Sequence, residues 1–272
     1  MAYDDFDKPS ISKPLIGAAI AVVVAGLGGW LYWRGHHTPL PTVPASAPPE
    51  AVAPEPAARI EHPVPASPDA AATTPLPDLN DSDKALIDAL GDASSGVNLG
   101  QYLVPESVVR HIVVTVDNLP RQKVAVDKRP VTPAAGAFIA DGDELHATLD
   151  RRNFRRYEPM MDVIRKADMQ RFAAVYLRFY PLFQKAYQDL GYPTGYFNDR
   201  LVKVIDMLLA TPQIAGPIEL IRPNVMYVFA DPKVEALPAG QKLLIRIGPD
   251  NATAVKAKLM ELRAIITAAP PR

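Results

Sequence analysis

The 272-residue chain has no cysteine, which excludes structural disulfides, thiol nucleophiles, iron–sulfur clusters and cysteine-ligated zinc. Net charge is nearly missing too. Twenty-nine Lys and Arg stand against 30 Asp and Glu, neither sign gathers into a tail, and nucleic acid is not an expected partner. Histidine is sparse: beyond residue 78 only His111 and His146 remain. Over 78–268 the spacings H-E-x-x-H, G-x-S-x-G and S-x-x-K and a glycine-rich phosphate loop are all missing, so no cofactor, metal or catalytic residue is implied there. Glycine is scarce beside proline, 15 against 29, which asks for a Pro-rich segment somewhere.

What the chain does have begins with Leu15 to Trp33, nineteen residues without a charge. At about 1.5 Å per residue such a helix would span about 28 Å, close to the thickness of a bilayer core. Trp30, Tyr32 and Trp33 gather at its far end, as interfacial aromatics do. The run enters these bulky rings without a small-residue cleavage site, so it reads as an uncleaved signal-anchor. Lys8 and Lys13 precede it and only Arg34 follows closely. That bias predicts a cytoplasmic tail over 1–14, a single transmembrane helix over 15–33, and a bacterial inner-membrane protein with its C-terminal domain in the periplasm.

Residues 34–77 read as a disordered Pro/Ala-rich tether. Twelve of the thirty-nine residues from Pro39 to Pro77 are proline and ten are alanine, too little apolar bulk to offset ordering entropy, and proline favours extended polyproline II. The globular domain is expected over 78–268, with a short tail at 269–272.

Within that domain the patterning predicts a mainly α fold with a small β component, α+β. Helices are expected over Ala85–Leu90 with Gly91 as the stop, and from Val108 to Val116. Asp141-Gly142 should turn a hairpin within 138–149. Pro159 introduces a helix, and Asp168 caps the longest one, from Met169 to about Leu190, with Pro181 expected to kink or split it. After the turn Tyr192-Pro193-Thr194-Gly195, a helix carrying Leu201, Val204, Ile205 and Leu208 should return antiparallel. Ile218–Arg222 and Val225–Phe229 suit strands, followed by helices near 237–247 and 252–267.

Two constellations merit a functional reading. Phe172, Tyr176, Phe179, Tyr180, Phe183 and Tyr187 fall on one helical face, as a core stripe or as an aromatic groove. Arg151, Arg152, Arg155 and Arg156 form two i,i+4 pairs, a basic patch that could grip anionic headgroups, envelope polymers or an acidic partner, or pair internally with Asp150, Glu158 and Asp162. Carboxylate pairs such as Glu144 or Glu158 with Asp162 or Asp199 could be assembled on paper for a hydrolase acting on cell-wall or lipid substrates.

Val116-Asp-Asn-Leu-Pro-Arg121, Gly191-Tyr-Pro-Thr-Gly-Tyr-Phe-Asn-Asp-Arg-Leu-Val202 and Ala230-Asp-Pro-Lys-Val-Glu-Ala-Leu-Pro-Ala-Gly-Gln-Lys-Leu-Leu244 resemble a bacterial family known as domain of unknown function 3014. The resemblance spans nearly all of 78–268 together with the apolar run and the Pro-rich segment. It implies the architecture and transfers no catalytic residue. The sequence thus leads to a non-enzymatic interaction or scaffolding domain that meets an envelope protein or cell-wall component, with the hydrolase as the competing reading.

Overall fold

Helices dominate because apolar residues recur every three to four positions between well-placed caps. The computed structural model describes residues 59–65, 75–94, 99–143 and 146–268, all within one unit, Pro56–Arg272. Nine α-helices appear among them: α1 (Asp83–Ala93), α2 (Val108–Asn118), α3 (Arg152–Arg156), α4 (Glu158–Lys166), α5 (Met169–Asp189), α6 (Phe197–Leu209), α7 (Pro232–Glu235), α8 (Ala239–Arg246) and α9 (Pro249–Ile266). Strands β1 (Ala140–Gly142), β2 (Ala147–Leu149), β3 (Glu219–Ile221) and β4 (Val228–Phe229) form one antiparallel sheet in sequence order. The α+β class is therefore what the described residues adopt.

The 21-residue helix α5 is the spine, with α1, α2, α6 and α9 packed around it. Asp168 starts it as expected, its Oδ1 accepting from the backbone N–H of Gln170 at 2.9 Å and of Arg171 at 3.3 Å. Pro181 neither splits nor ends it. The proline is exposed, while Phe179, Leu182 and Phe183 on either side of it are buried and pack successive turns into the first core cluster. Likewise α1 continues through Gly91 to Ala93.

A first core cluster joins α1 and α2 to α5 through Leu86, Val109, Val113, Phe179 and Phe183. A second lies under the sheet, where Leu149, Leu220 and Phe229 meet Val234 of α7 and Ile245 of α8. Two smaller ones bind α6 to α8 and α9. In the hairpin, Gly142 pairs with Ala147, so Asp141 and Gly142 belong to the strand and the connection is Asp143–His146. There Asp143 Oδ1 accepts from His146 N at 2.7 Å, an Asx-type local bond that displaces the expected Asp-Gly turn. Glu144 lies outside the described residues. At Gly248, φ is +95° and a Cβ would sit 2.6 Å from the Phe154 ring, so only glycine fits before α9.

The expectation of a signal-anchor, single-pass inner-membrane protein with a periplasmic domain is corrected. Among the described residues no helix is long and apolar enough to cross a membrane. The longest, α5, carries Arg171, Arg178, Lys185 and Asp189, which suits a helix with one solvated face and not a bilayer span. The run Leu15–Trp33, like most of 34–77 and the tail 269–272, lies outside the described residues. Neither a span nor a cellular location is therefore part of the architecture described here.

Candidate functional site

The start of α6 carries the most specific polar geometry in the molecule. Gln184 of α5 organises the preceding turn. Its Nε2 donates to Gly195 O at 2.7 Å, while its Oε1 accepts from Phe197 N and Tyr180 Oη, both at 2.9 Å. Phe197 is then driven into the core, stacked on Phe183 at 5.8 Å with Tyr187 alongside at 5.6 Å. With Phe197 fixed inward, Tyr196 and Asp199 stand partly exposed beside it on the same turn and Asn198 is buried between them.

These three side chains hold residues 59–65, a piece of the Pro/Ala-rich stretch. The Asp199 carboxylate accepts from two successive backbone amides, Glu61 N at 3.0 Å and His62 N at 2.6 Å. Tyr196 Oη accepts from Val64 N at 3.0 Å. Asn198, 0 % exposed, donates through Nδ2 to His62 O at 2.9 Å and to Ile266 O at 3.2 Å, and its Oδ1 accepts from Tyr176 Oη at 2.9 Å. Lys203, one turn further along α6, pairs with Glu61 at 3.0 Å. Most of these bonds go to main-chain atoms, at a bend over Glu61 and His62, so the site reads the backbone first and a side chain only through Lys203.

Electrostatics keeps the supporting phenols neutral. Burial, reinforced by Tyr180 and Tyr196, pushes the Tyr176 hydroxyl well above its ordinary value. Burial and hydrogen bonding with Tyr196 do the same at Tyr180. Both hydroxyls thus remain donors, Tyr176 to Asn198 and Tyr180 to Gln184.

The segments that carry the family resemblance converge behind this site. Asp117 lies between Arg200 at 3.0 Å and Arg121 at 2.6 Å. Ala239 N donates to Arg121 O and Gly240 N to Leu119 O, at 2.7 and 3.0 Å, and Gln241 Nε2 donates to Met207 O at 2.7 Å. Lys242 reaches back to Glu235 at 2.7 Å. These residues join α2, α6 and α8.

The other candidates separate. Tyr176, Phe179, Tyr180, Phe183 and Tyr187 pack in the first core cluster. Phe172 instead lines an apolar cavity between α4, α5 and α9. The four arginines do not present one face. Arg152 pairs with Asp150 at 2.7 Å, and Arg156 donates to the carbonyls of Ala135 and Gly136 at 3.0 and 2.8 Å, leaving Arg151 and Arg155 exposed. Glu158 and Asp162 share Arg165 at 2.8 and 3.3 Å, and the Arg165 hydrogen bond holds Glu158 below its ordinary value, the wrong direction for a general acid. Among the described residues no group of three or more His, Asp or Glu is placed to hold a metal ion.

Sequence reading placed Asp199 at a helix start, where an acid complements the dipole, and it does stand in the first turn of α6. What it missed is the second task of that carboxylate, because its partners are 137 and 138 residues away. The juxtaposition of Tyr196, Asn198 and Asp199 inside a quoted motif was the available signal.

Comparison with curated proteins and with solved structures gives no match. The family model described as "Protein of unknown function (DUF3014)" matches residues 108–263, a span that contains all three segments quoted above and the whole of α2 to α8. Since that match covers more than half of the chain, the protein belongs to the DUF3014 family.

Proposed function

We propose that this domain is an interaction module that binds a polypeptide main chain, bent at the point of contact, at the start of α6. The observation that carries the reading is the bracket formed by Asp199, which accepts from the successive amides of Glu61 and His62. Hydrogen bonds to an ionised acceptor are the stronger kind, and two from adjacent amides fix the direction of the bound chain. Asn198 and Tyr196 extend the register in both chemical senses, as donor and as acceptor. Of the carboxylates that the hydrolase reading names, three are otherwise engaged, Asp199 by backbone amides and Glu158 and Asp162 by Arg165, while Glu144 lies outside the described residues.

The test opens the site and refills it. In the full-length chain, residues 59–65 are replaced by a Gly/Ser stretch of equal length, and a labelled peptide of the native 59–65 sequence is titrated in. Saturable binding is expected, with Asp199→Ala weakening it about tenfold or more, as the loss of two charge-assisted hydrogen bonds implies. Lys203→Ala should weaken it less. A well-folded open chain that fails to bind the peptide, or binds it equally after Asp199→Ala, overturns the proposal.

A further inference from the structure

The segment docked on α6 also shows which sequences such a site prefers, an inference that rests on the reading of that site as a peptide-binding one. From residue 61 to residue 64 the docked chain is Glu-His-Pro-Val. Proline carries no N–H, so these four residues hold three backbone donors. All three are accepted, those of Glu61 and His62 by Asp199 and that of Val64 by Tyr196. The position the site passes over is the one at which the bound chain has nothing to donate. Pro63 is itself exposed, so its contribution is conformational: the ring fixes φ directly after the bend over Glu61 and His62 and reduces the freedom that a chain loses on docking.

The amide pattern alone does not single out this stretch. It requires an N–H one and two residues before a proline and one residue after it. Between Pro39 and Pro77 that pattern occurs around Pro39, Pro44, Pro54, Pro63, Pro68 and Pro75. An acidic residue two places before the proline occurs in that stretch only at Pro63, where it is Glu61. Glu61 is also the residue whose side chain the site reads, with Lys203 Nζ 3.0 Å from its carboxylate. Both members of that pair are more than half exposed, so it adds little affinity. Its effect is on choice, since a basic residue in the same place would face a like charge.

We infer that the α6 site selects polypeptide segments in which an acidic residue stands two places before a proline, with a free N–H at the acid, at the residue between and at the residue after the proline. Its partner is a chain that carries such a segment. Asp199 sets the direction of that chain, Tyr196 sets the spacing across the proline, and Lys203 chooses the acid.

The experiment titrates labelled peptides into the full-length chain opened by the Gly/Ser replacement of residues 59–65. One peptide has the native 59–65 sequence, one carries Glu61→Lys and one Pro63→Ala. Glu61→Lys should weaken binding about fivefold, as reversal of one exposed pair implies, and the difference should shrink in high salt. Pro63→Ala should weaken it about two- to fivefold at any salt concentration, through the greater freedom of the unbound peptide. In a Lys203→Glu chain the first preference should invert, the Glu61→Lys peptide binding tighter than the native one. Failure of the native peptide to bind at all removes the peptide-site reading and this inference with it. Equal binding of the native and Glu61→Lys peptides, a preference that Lys203→Glu leaves in place, or indifference to Pro63→Ala overturns the selectivity alone and leaves a site for main chain of any sequence.

Discussion

Asp117 and Arg200, 83 residues apart, form the ion pair that ties α2 to α6. The Asp117 side chain is 3 % exposed and that of Arg200 27 %, with 3.0 Å between them, and Arg200 Nη2 also donates to the Asp117 carbonyl at 2.7 Å. The second partner, Arg121, is 57 % exposed. The inner pair therefore bears the consequence of desolvation, and the outer one is screened by water.

Removing Arg200 leaves the buried Asp117 carboxylate with only the water-exposed Arg121 as its partner, and weakening a buried pair is the costly kind of change. Arg200→Ala should destabilise the protein by about 3 kcal/mol, read as a lower urea midpoint at unchanged slope. Arg121→Ala, which leaves Arg200 in place, should move the midpoint little. Equal effects from the two substitutions would contradict this assignment.

Two glycines should respond in opposite directions. Gly248→Ala puts a Cβ into the Phe154 ring at a φ of +95°, and strain plus overpacking should destabilise by about 2 kcal/mol or more. Gly91 lies inside α1, with nothing within 4 Å of the position a Cβ would take. Gly91→Ala should stabilise by about 0.5–1 kcal/mol by reducing the freedom of the unfolded chain. Thermal unfolding of the two variants checks both signs.

Local signals were legible and long-range ones were not. Asp168 before an apolar-periodic run, Pro159 at a first turn and Asp231 before Pro232 all mark helix starts that the structure contains, because capping is decided within four residues. The aromatic stripe was legible as a stripe, but only packing separates Phe172 at a cavity from Phe179 and Phe183 in a core. The split expected at Pro181 does not occur, because the effect of a proline on a helix depends on neighbours that pack its turns against a core. Of the arginine patch, the internal pairing of Arg152 with Asp150 was legible, whereas Arg156 finds its carbonyl acceptors in Ala135 and Gly136, about twenty residues back across a loop. The docking of 59–65 on α6 was out of reach, since composition alone describes that stretch as lacking a core of its own.

Acid should weaken the fold through carboxylates that sit below their ordinary values. Two Arg263 hydrogen bonds, at 2.5 and 3.1 Å, hold Asp206 down. At Glu235 burial pushes upward, but the Lys242 and Phe229 hydrogen bonds prevail and the net shift is downward. Groups depressed in the folded state contribute fully above their unfolded values, ordinarily 3.8 for Asp and 4.5 for Glu. Their contribution is lost as pH falls toward the folded values. Urea midpoints should therefore be level above about pH 5 and decline below it. Asp206→Asn and Glu235→Gln should each flatten that decline. At the alkaline end the sign reverses: Tyr176 and Tyr180, raised by burial, should give no tyrosinate absorbance until the protein unfolds.

Amide exchange resolves the docked segment atom by atom. Glu61 N and His62 N depend on Asp199, and Val64 N depends on Tyr196, so the protections can be removed separately. Asp199→Ala should accelerate exchange at Glu61 and His62 about tenfold or more, while Tyr196→Phe, which keeps the ring and removes only the acceptor, should accelerate Val64 first. Lys203→Ala removes a pair whose members are both more than half exposed and should leave all three amides close to their original rates. If these amides exchange at unprotected rates in the unaltered chain, the segment is not held in solution. If instead they are protected but indifferent to Asp199, it is held by something other than this carboxylate. Either result would separate the polar cluster at α6 from any role in gripping a polypeptide main chain, because the whole case for that role rests on which acceptor each amide finds.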